Sequence, residues 1–293
     1  MLRWRIILGA LLIASLTGLL VLDYRSATPG GWLLAAAVVV GLAGAQEVIS
    51  LLAASGQKPR ADVIYAGTLA VILSNAIPLW WRPVPAEFAL ARLAWPLIAF
   101  TLCLLVALVG EMRRYTKPGG VMVHVALALF SIAYIGLTLS FGLQLRLLSG
   151  NLEGLLAVAA LVIVVKLGDI GAYTVGRLFG RHKMAPVLSP GKTLEGAGGA
   201  IVFATLGAWL AMVLLPKALE VTLPQHPWSW LLFGIVVGIA GLTGDLAESL
   251  FKRDMGRKDS STWLPGFGGV LDVLDSILFA APVAYLCWWL GGV

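Results

Sequence analysis

Lys252, Arg253, Asp254, Arg257, Lys258, Asp259, Asp272 and Asp275 crowd into the stretch SLFKRDMGRKDSSTWLPGFGGVLDVLDS, Ser249 to Ser276, of a chain in which only 12% of residues are charged. Carboxylates interleaved with ammonium and guanidinium groups suit a polyphosphate held by a hard divalent cation. Mg²⁺ takes oxygen ligands, commonly one or two carboxylates together with substrate phosphates and water. The glycines of PGFGG remove side-chain bulk and let the backbone approach a ligand closely. Asp245 and Asp272 border this loop on its two sides and are the expected principal metal ligands, with Asp275 one turn beyond Asp272 in support. Lys252, Arg253, Lys258 and Asp259 are the catalytic groups expected around them. Asp245, Glu248, Ser249 and Lys252 fall at i, i+3, i+4 and i+7, a polar stripe on one helix face. Glu248 and Lys252 also read as an ordinary i,i+4 pair at the membrane edge, whereas Asp245 has no local partner.

A second constellation precedes it, VVKLGDIGAYTVGRLFGRHKMAPVLSPGKTLEG, in which Lys166, Asp169 and Tyr173 share a helix face. A carboxylate and an ammonium inside an apolar helix are costly unless they face a partner or a water-filled cavity. Lys166 and Asp169 read equally as a bundle-stabilising pair, and Asp169, nearer the basic loop, as a substrate-binding group. SPGKTLEG is not a nucleotide P-loop, because that spacing requires glycine at 186 and the residue is Pro186. Ser189, Lys192 and Thr193 nevertheless lie at the expected start of a helix, whose N-terminus favours anions, and Lys192 and Lys258 are expected on nucleotide phosphates.

The elements that must position these groups are membrane helices. The chain has 293 residues, is 59% hydrophobic, and has a mean hydropathy of +0.92. Its apolar runs reach the roughly 20 residues that span a hydrocarbon layer, and they lack period-2 alternation. The expected fold is therefore all-α, a polytopic transmembrane helix bundle and not a β-barrel. Spans are expected near 4–23, 31–54, 62–81, 88–110, 122–142, 153–179, 196–215, 228–251 and 274–291, about nine in all. The first run resembles a signal-peptide core but lacks a cleavage site and is kept as a span. With a cytoplasmic N-terminus, the inside loops hold Arg3, Arg5, Lys58, Arg60, Arg113, Arg114, Lys117, Arg177, Arg181, Lys183, Lys192, Lys252, Arg253, Arg257 and Lys258. The outside keeps only Arg25, Arg82, Arg92, Arg146 and Lys217, an asymmetry that follows the positive-inside rule. The same bias accounts for the net charge of +6 and excludes nucleic acid as its reason. Cys103 and Cys287 form no spaced framework, so neither a disulfide scaffold nor a cysteine metal site is expected. The whole chain, 1–293, reads as one integral membrane domain. Residues 1–150 supply plain apolar spans, and 151–293 the catalytic spans and cytoplasmic loops.

These residues resemble the signature of phosphatidate cytidylyltransferases (CDP-diacylglycerol synthases), S-x-x-K-R-x-x-x-x-K-D-x-x-x-x-x-P-G-H-G-G-x-x-D-R-x-D. Ser249, Lys252, Arg253, Lys258, Asp259, Pro265, Gly266, Gly268, Gly269, Asp272 and Asp275 stand at matching spacing, and the segment from Asp169 to Gly196 is similar to that family's as well. Phe267 replaces the pattern's histidine and Val273 its arginine. The resemblance implies transfer of CMP from CTP to phosphatidate, giving CDP-diacylglycerol and pyrophosphate, with Mg²⁺ and room for a second, monovalent cation. It places the protein in a bacterial-type inner membrane with its active site facing the cytoplasm. Ser249, Gly268 and Gly269 are then expected to touch substrate. The expected partners are CTP, phosphatidate and membrane lipids, with a homodimer as the assembly allowed for. Three other readings stay open: a CTP-dependent enzyme acting on a different lipid, a weakened paralogue, and a transporter whose Asp169 and Asp245 carry protons or ions.

Overall fold

The computed structural model describes residues 2–80, 89–223 and 226–290. The expected span boundaries at 81, 88 and 291, and Arg82, lie outside the described residues. Nine helices are named here: α1 Leu2–Arg25, α2 Gly31–Ala54, α3 Ala61–Ser74, α4 Ala89–Arg114, α5 Val121–Leu147, α6 Asn151–Phe179, α7 Leu194–Ala218, α8 Ser229–Asp254 and α9 Val270–Leu290. Among the described residues, all of these except α3 are long and apolar enough to cross a membrane, and the protein is an all-α, polytopic membrane protein. Helix α3 has 14 residues, about 21 Å at 1.5 Å per residue. It is broken at Asn75 before a further helical turn at Ile77–Trp80.

Two compact units make up the chain. The first is Met1–Gln144 with Asp254–Leu271. Its apolar core contains Ile64, Val71, Ile72, Ile132 and Ile135, all essentially buried. Where α3 stops, side chains take over the unpaired backbone groups: the Asn75 amide donates to the Ile72 carbonyl at 3.0 Å and to Ser140 Oγ at 2.8 Å, and Gln144 donates to Asn75 Oδ1 at 2.7 Å. A broken helix is tolerated in such surroundings because neighbouring polar side chains satisfy what the break exposes. The Asp23 carboxylate accepts from the amides of Gly30 at 2.9 Å and Trp32 at 3.1 Å, holding the start of α2. The glycine loop, placed with the catalytic half in the sequence reading, belongs to this first unit.

The second unit is Leu145–Arg253 with Asp272–Val293. Its helices approach closely through glycines, the residue type that allows close backbone contact in lipid. A Cβ on Gly171 of α6 would stand 2.5 Å from the Gly199 carbonyl of α7, and one on Gly244 of α8 would stand 2.7 Å from the Asp275 carbonyl of α9. Phe233 and Trp288 close the far part of this core edge to face at 5.8 Å. Between α6 and α7 the expected loop contains a two-stranded antiparallel hairpin, β1 Lys183–Ala185 and β2 Ser189–Thr193, with Lys183 opposite Thr193 and Ala185 opposite Ser189. Glu195 clasps the hairpin by accepting from the Arg181 amide at 3.0 Å and pairing with His182 Nδ1 at 2.6 Å.

The contact at Gly244 puts Asp245 beside the first turns of α9. Gly244→Ala is expected to lower the melting temperature of the detergent-solubilised protein by several degrees, the overpacking cost of about 1–3 kcal/mol. Gly198→Ala, where a new Cβ meets nothing within 4 Å, is the control and should leave it unchanged or raise it. Equal melting temperatures for the two variants would contradict the packing.

Candidate active site

In the second unit the intramembrane carboxylates are met by lysines. Asp169 receives Lys166 Nζ at 3.0 Å, and the same ammonium donates to the Val273 carbonyl at 3.0 Å. Asp245, which has no partner along its own helix, receives Lys192 from β2 at 2.9 Å. Lys252 donates to Glu248 Oε2 at 2.6 Å and also pairs with Asp272. The Ser276 hydroxyl lies 3.0 Å from Asp275 and 3.5 Å from Asp169. Asp275 is buried and feels the like charges of Asp245 and Asp169, and its own charge reaches Glu248. It is therefore the common neighbour of the two groups of carboxylates. Five carboxylates face three ammonium groups in this cluster, so the fully ionised set is negative, a balance that favours a further cation.

Exposure separates the pairs. The Asp245 side chain is 38% exposed and that of Lys192 18%, whereas Glu248 is 1% exposed. The Asp245 carboxylate is thus the open member of its pair, with Lys192 Nζ buried against it, and the Glu248–Lys252 pair is set deep in the packing.

The remaining expected residues divide between the units. Ser189 is half-buried at the start of β2. Thr193 is buried and caps α7, its hydroxyl accepting from the Gly196 amide at 3.1 Å. Arg253 is exposed and donates to the Leu188 carbonyl at 3.2 Å, tying the end of α8 to the hairpin. Ser249 is buried. In the first unit, Lys258 and Asp259 are exposed on the loop. Gly268 has a φ of 92° and forms a tight turn with Leu264, whose amide bonds the Gly268 carbonyl at 2.8 Å. The ring of Phe267, at the family pattern's histidine position, reaches Gly9 of α1.

Gly269 is packed against a residue that the sequence reading passed over. Glu47, two turns before the end of α2, is 1% exposed and accepts hydrogen bonds from the Ser260 and Ser261 hydroxyls and from the amides of Val270 and Leu271. Its signal was a lone carboxylate within an apolar run, GAQEVIS, in spans treated as plain.

The donor set is the hard-oxygen type that Mg²⁺ prefers, and the buried Oε1 of Glu248 has no hydrogen-bond partner. Among the described residues, no three carboxylate, imidazole or thiol groups are gathered closely enough to hold a metal by themselves. Mg²⁺ needs only one or two protein carboxylates when phosphates and water complete its shell, so the residues fit it as a substrate-linked ion.

The cytidylyltransferase family model matches residues 3–290. The chain is similar to the phosphatidate cytidylyltransferase of Staphylococcus epidermidis, 41% identical over 160 residues, which are 54% of this chain and 56% of that protein. It is also similar to that of Staphylococcus saprophyticus, 36% identical over 187 residues, 64% of this chain and 66% of the relative. For that of Staphylococcus aureus the identity is 37% over 160 residues, 54% of this chain and 56% of the relative. The chain thus spans between 56% and 66% of the length of these curated relatives. Because the family pattern extends over nearly the whole chain, from the first helix through the last, this protein belongs to the cytidylyltransferase family.

Proposed function

We propose that this protein transfers CMP from CTP to phosphatidate at the cytoplasmic face of the membrane, giving CDP-diacylglycerol and pyrophosphate. The observation that carries the reading is the Lys192–Asp245 pair, an ammonium from a basic hairpin set on a half-exposed carboxylate of a membrane helix. An oxygen of the phosphatidate phosphate attacks the α-phosphorus of CTP. A new P–O bond joins the two phosphates, the bond from the α-phosphorus to the bridging oxygen breaks, and pyrophosphate leaves with the electron pair.

A phosphate monoester has a second pKa of about 6 and is already largely ionised near pH 7. No side chain has to remove a proton, which suits a cluster of lysines and carboxylates. The harder task is bringing two anions together. Lys192 serves it by placing positive charge beside the open Asp245 carboxylate, where the phosphates gather, and Lys252, held deeper by Glu248 and Asp272, adds positive charge from behind them. Lys166 is oriented by Asp169 and the Val273 carbonyl and adds a third charge. Asp245 and Asp272 would hold Mg²⁺, with Asp275 in support. When bound, the ion supplies neutralisation of phosphate charge. Lys258 and Asp259 enter the proposal through the family signature they match.

The test is turnover of CTP and phosphatidate by the purified protein with Mg²⁺. Asp245→Asn and Asp272→Asn should each lower kcat at least about 100-fold, equivalent to about 2.7 kcal/mol at 1.36 kcal/mol per decade, while leaving the protein folded. Near-normal turnover in both variants would remove these two carboxylates from the mechanism.

The cytoplasmic placement is supported by the basic residues of the hairpin and of the loop after α8. Counting α3 with the helical turn at Ile77–Trp80 as a crossing beside the eight longer helices makes nine, which puts the two chain ends on opposite sides. Compartment reporters fused at the N- and C-terminus should report the cytoplasm and the outside respectively, and a report of one shared compartment would contradict the arrangement.

A further inference from the structure

Glu47 is a buried carboxylate in a membrane helix, and the reaction described above does not use it. Each of its oxygens accepts two hydrogen bonds: Oε1 from Ser261 Oγ and the Val270 amide, and Oε2 from Ser260 Oγ and the Leu271 amide, all four at 2.8 Å. Four donors fill the acceptor capacity of an ionised carboxylate, and together they compensate the cost of placing that charge in an apolar helix. The donors come from two separated points of one loop. Ser260 and Ser261 lie in its middle, and Val270 and Leu271 are the first residues of α9.

The first amides of a helix have no partner within it. Residue 269, just before α9, is a glycine and offers no capping side chain. Glu47 supplies the cap from another helix, with its charge at the positive end of the α9 dipole. The same arrangement suits a glycine at 269, because a Cβ there would collide with Ser260 Oγ and both Glu47 oxygens and displace the anchor.

We propose that Glu47 is a positioning residue for the transfer reaction, holding with one carboxylate the loop that carries Lys258 and Asp259 and the helix start that carries Asp272. Lys258 and Asp259 directly precede Ser260, and Asp272 directly follows Leu271. Both segments therefore lose their anchor together when the carboxylate is altered. The inference deepens the cytidylyl-transfer reading and rests on it for its kinetic part.

Glu47→Gln keeps size but not charge. Its amide oxygen still accepts from one backbone N–H and one serine, and its NH₂ group can donate to the other serine, but the second backbone N–H then faces a donor. With CTP and phosphatidate as substrates, kcat should fall about 30-fold while KM for both substrates changes less than about threefold, the pattern of a lost alignment and not of lost binding. Amide hydrogen exchange at Val270 and Leu271 should quicken about tenfold or more, while exchange in α6 and α7 is unchanged. Ser261→Ala removes one donor and keeps the charge. It should show the same pattern with a loss of about threefold to tenfold, and it decides the question if Glu47→Gln does not fold.

A Glu47→Gln variant with wild-type kcat, or one whose only change is a tenfold higher KM, overturns the positioning role. Unchanged exchange at residues 270 and 271 overturns the anchor itself. If the wild-type protein makes no CDP-diacylglycerol, the activity reading fails, and the exchange measurement still supports or overturns the anchor.

Discussion

Charge inside a membrane bundle must be compensated where it stands, and this requirement organises the second unit. An isolated carboxylate is costly within an apolar helix, and each of the five carboxylates of the cluster has an ammonium or hydroxyl partner. Lys166 serves Asp169, Lys192 serves Asp245, and Lys252 serves Glu248 and Asp272. Lys166–Asp169 and Lys252–Glu248 form within one helix, whereas Lys252–Asp272 joins α8 to α9 and needs those helices to come close. Glycines provide that closeness, Gly171 against Gly199 and Gly244 against the first turns of α9. Packing and electrostatics are therefore one constraint: bulk added at Gly244 acts on the surroundings of Asp245 and Asp275. The same pairs suit the chemistry, because a lysine held by a carboxylate is already placed when a phosphate arrives, and its positioning cost has been met in folding.

The first unit meets the requirement differently. Glu47 has no lysine among its partners in the hydrogen-bond pattern described above; its charge is spread over two hydroxyls and two amides. A carboxylate satisfied by neutral donors is specific to their geometry, since it needs all four at hydrogen-bonding distance at once. That makes it a fastening for a loop. Lys258 and Asp259 of that loop are exposed while its glycine turn stays compact, with Gly268 folded back on Leu264.

Much of this was legible in the sequence because lipid imposes long apolar runs: the expected 31–54 span matches α2, and the other long helices depart from expectation by a few residues at their ends. Asp245 stood out because charge is rare in such runs, and Asp272 because it borders the glycine loop. Partnerships between distant residues were not legible. Nothing in local spacing joins Lys192 to Asp245, since the hairpin that carries the lysine folds back by pairing Lys183 with Thr193. Helix α3 was expected as a full span because hydropathy does not register the break at Asn75, whose amide is satisfied by Ser140 and Gln144. Glu47 was visible as a letter but not as a site, because its four donors lie more than 200 residues away in the chain. The glycines of PGFGG were read as room for a ligand. At Gly269 the room is filled by Ser260 and Glu47.

The central claim is that this lysine and carboxylate cluster directs a phosphate of a membrane lipid onto the α-phosphorus of CTP. The most direct measurement follows CTP labelled at the α-phosphorus, and separately at the γ-phosphorus, during reaction with phosphatidate and Mg²⁺ in mixed micelles. The account predicts that the α-label enters the lipid fraction, that pyrophosphate appears one for one with it, and that the γ-label stays water-soluble. Transfer of the γ-label to lipid, or no lipid label from either position, would contradict it.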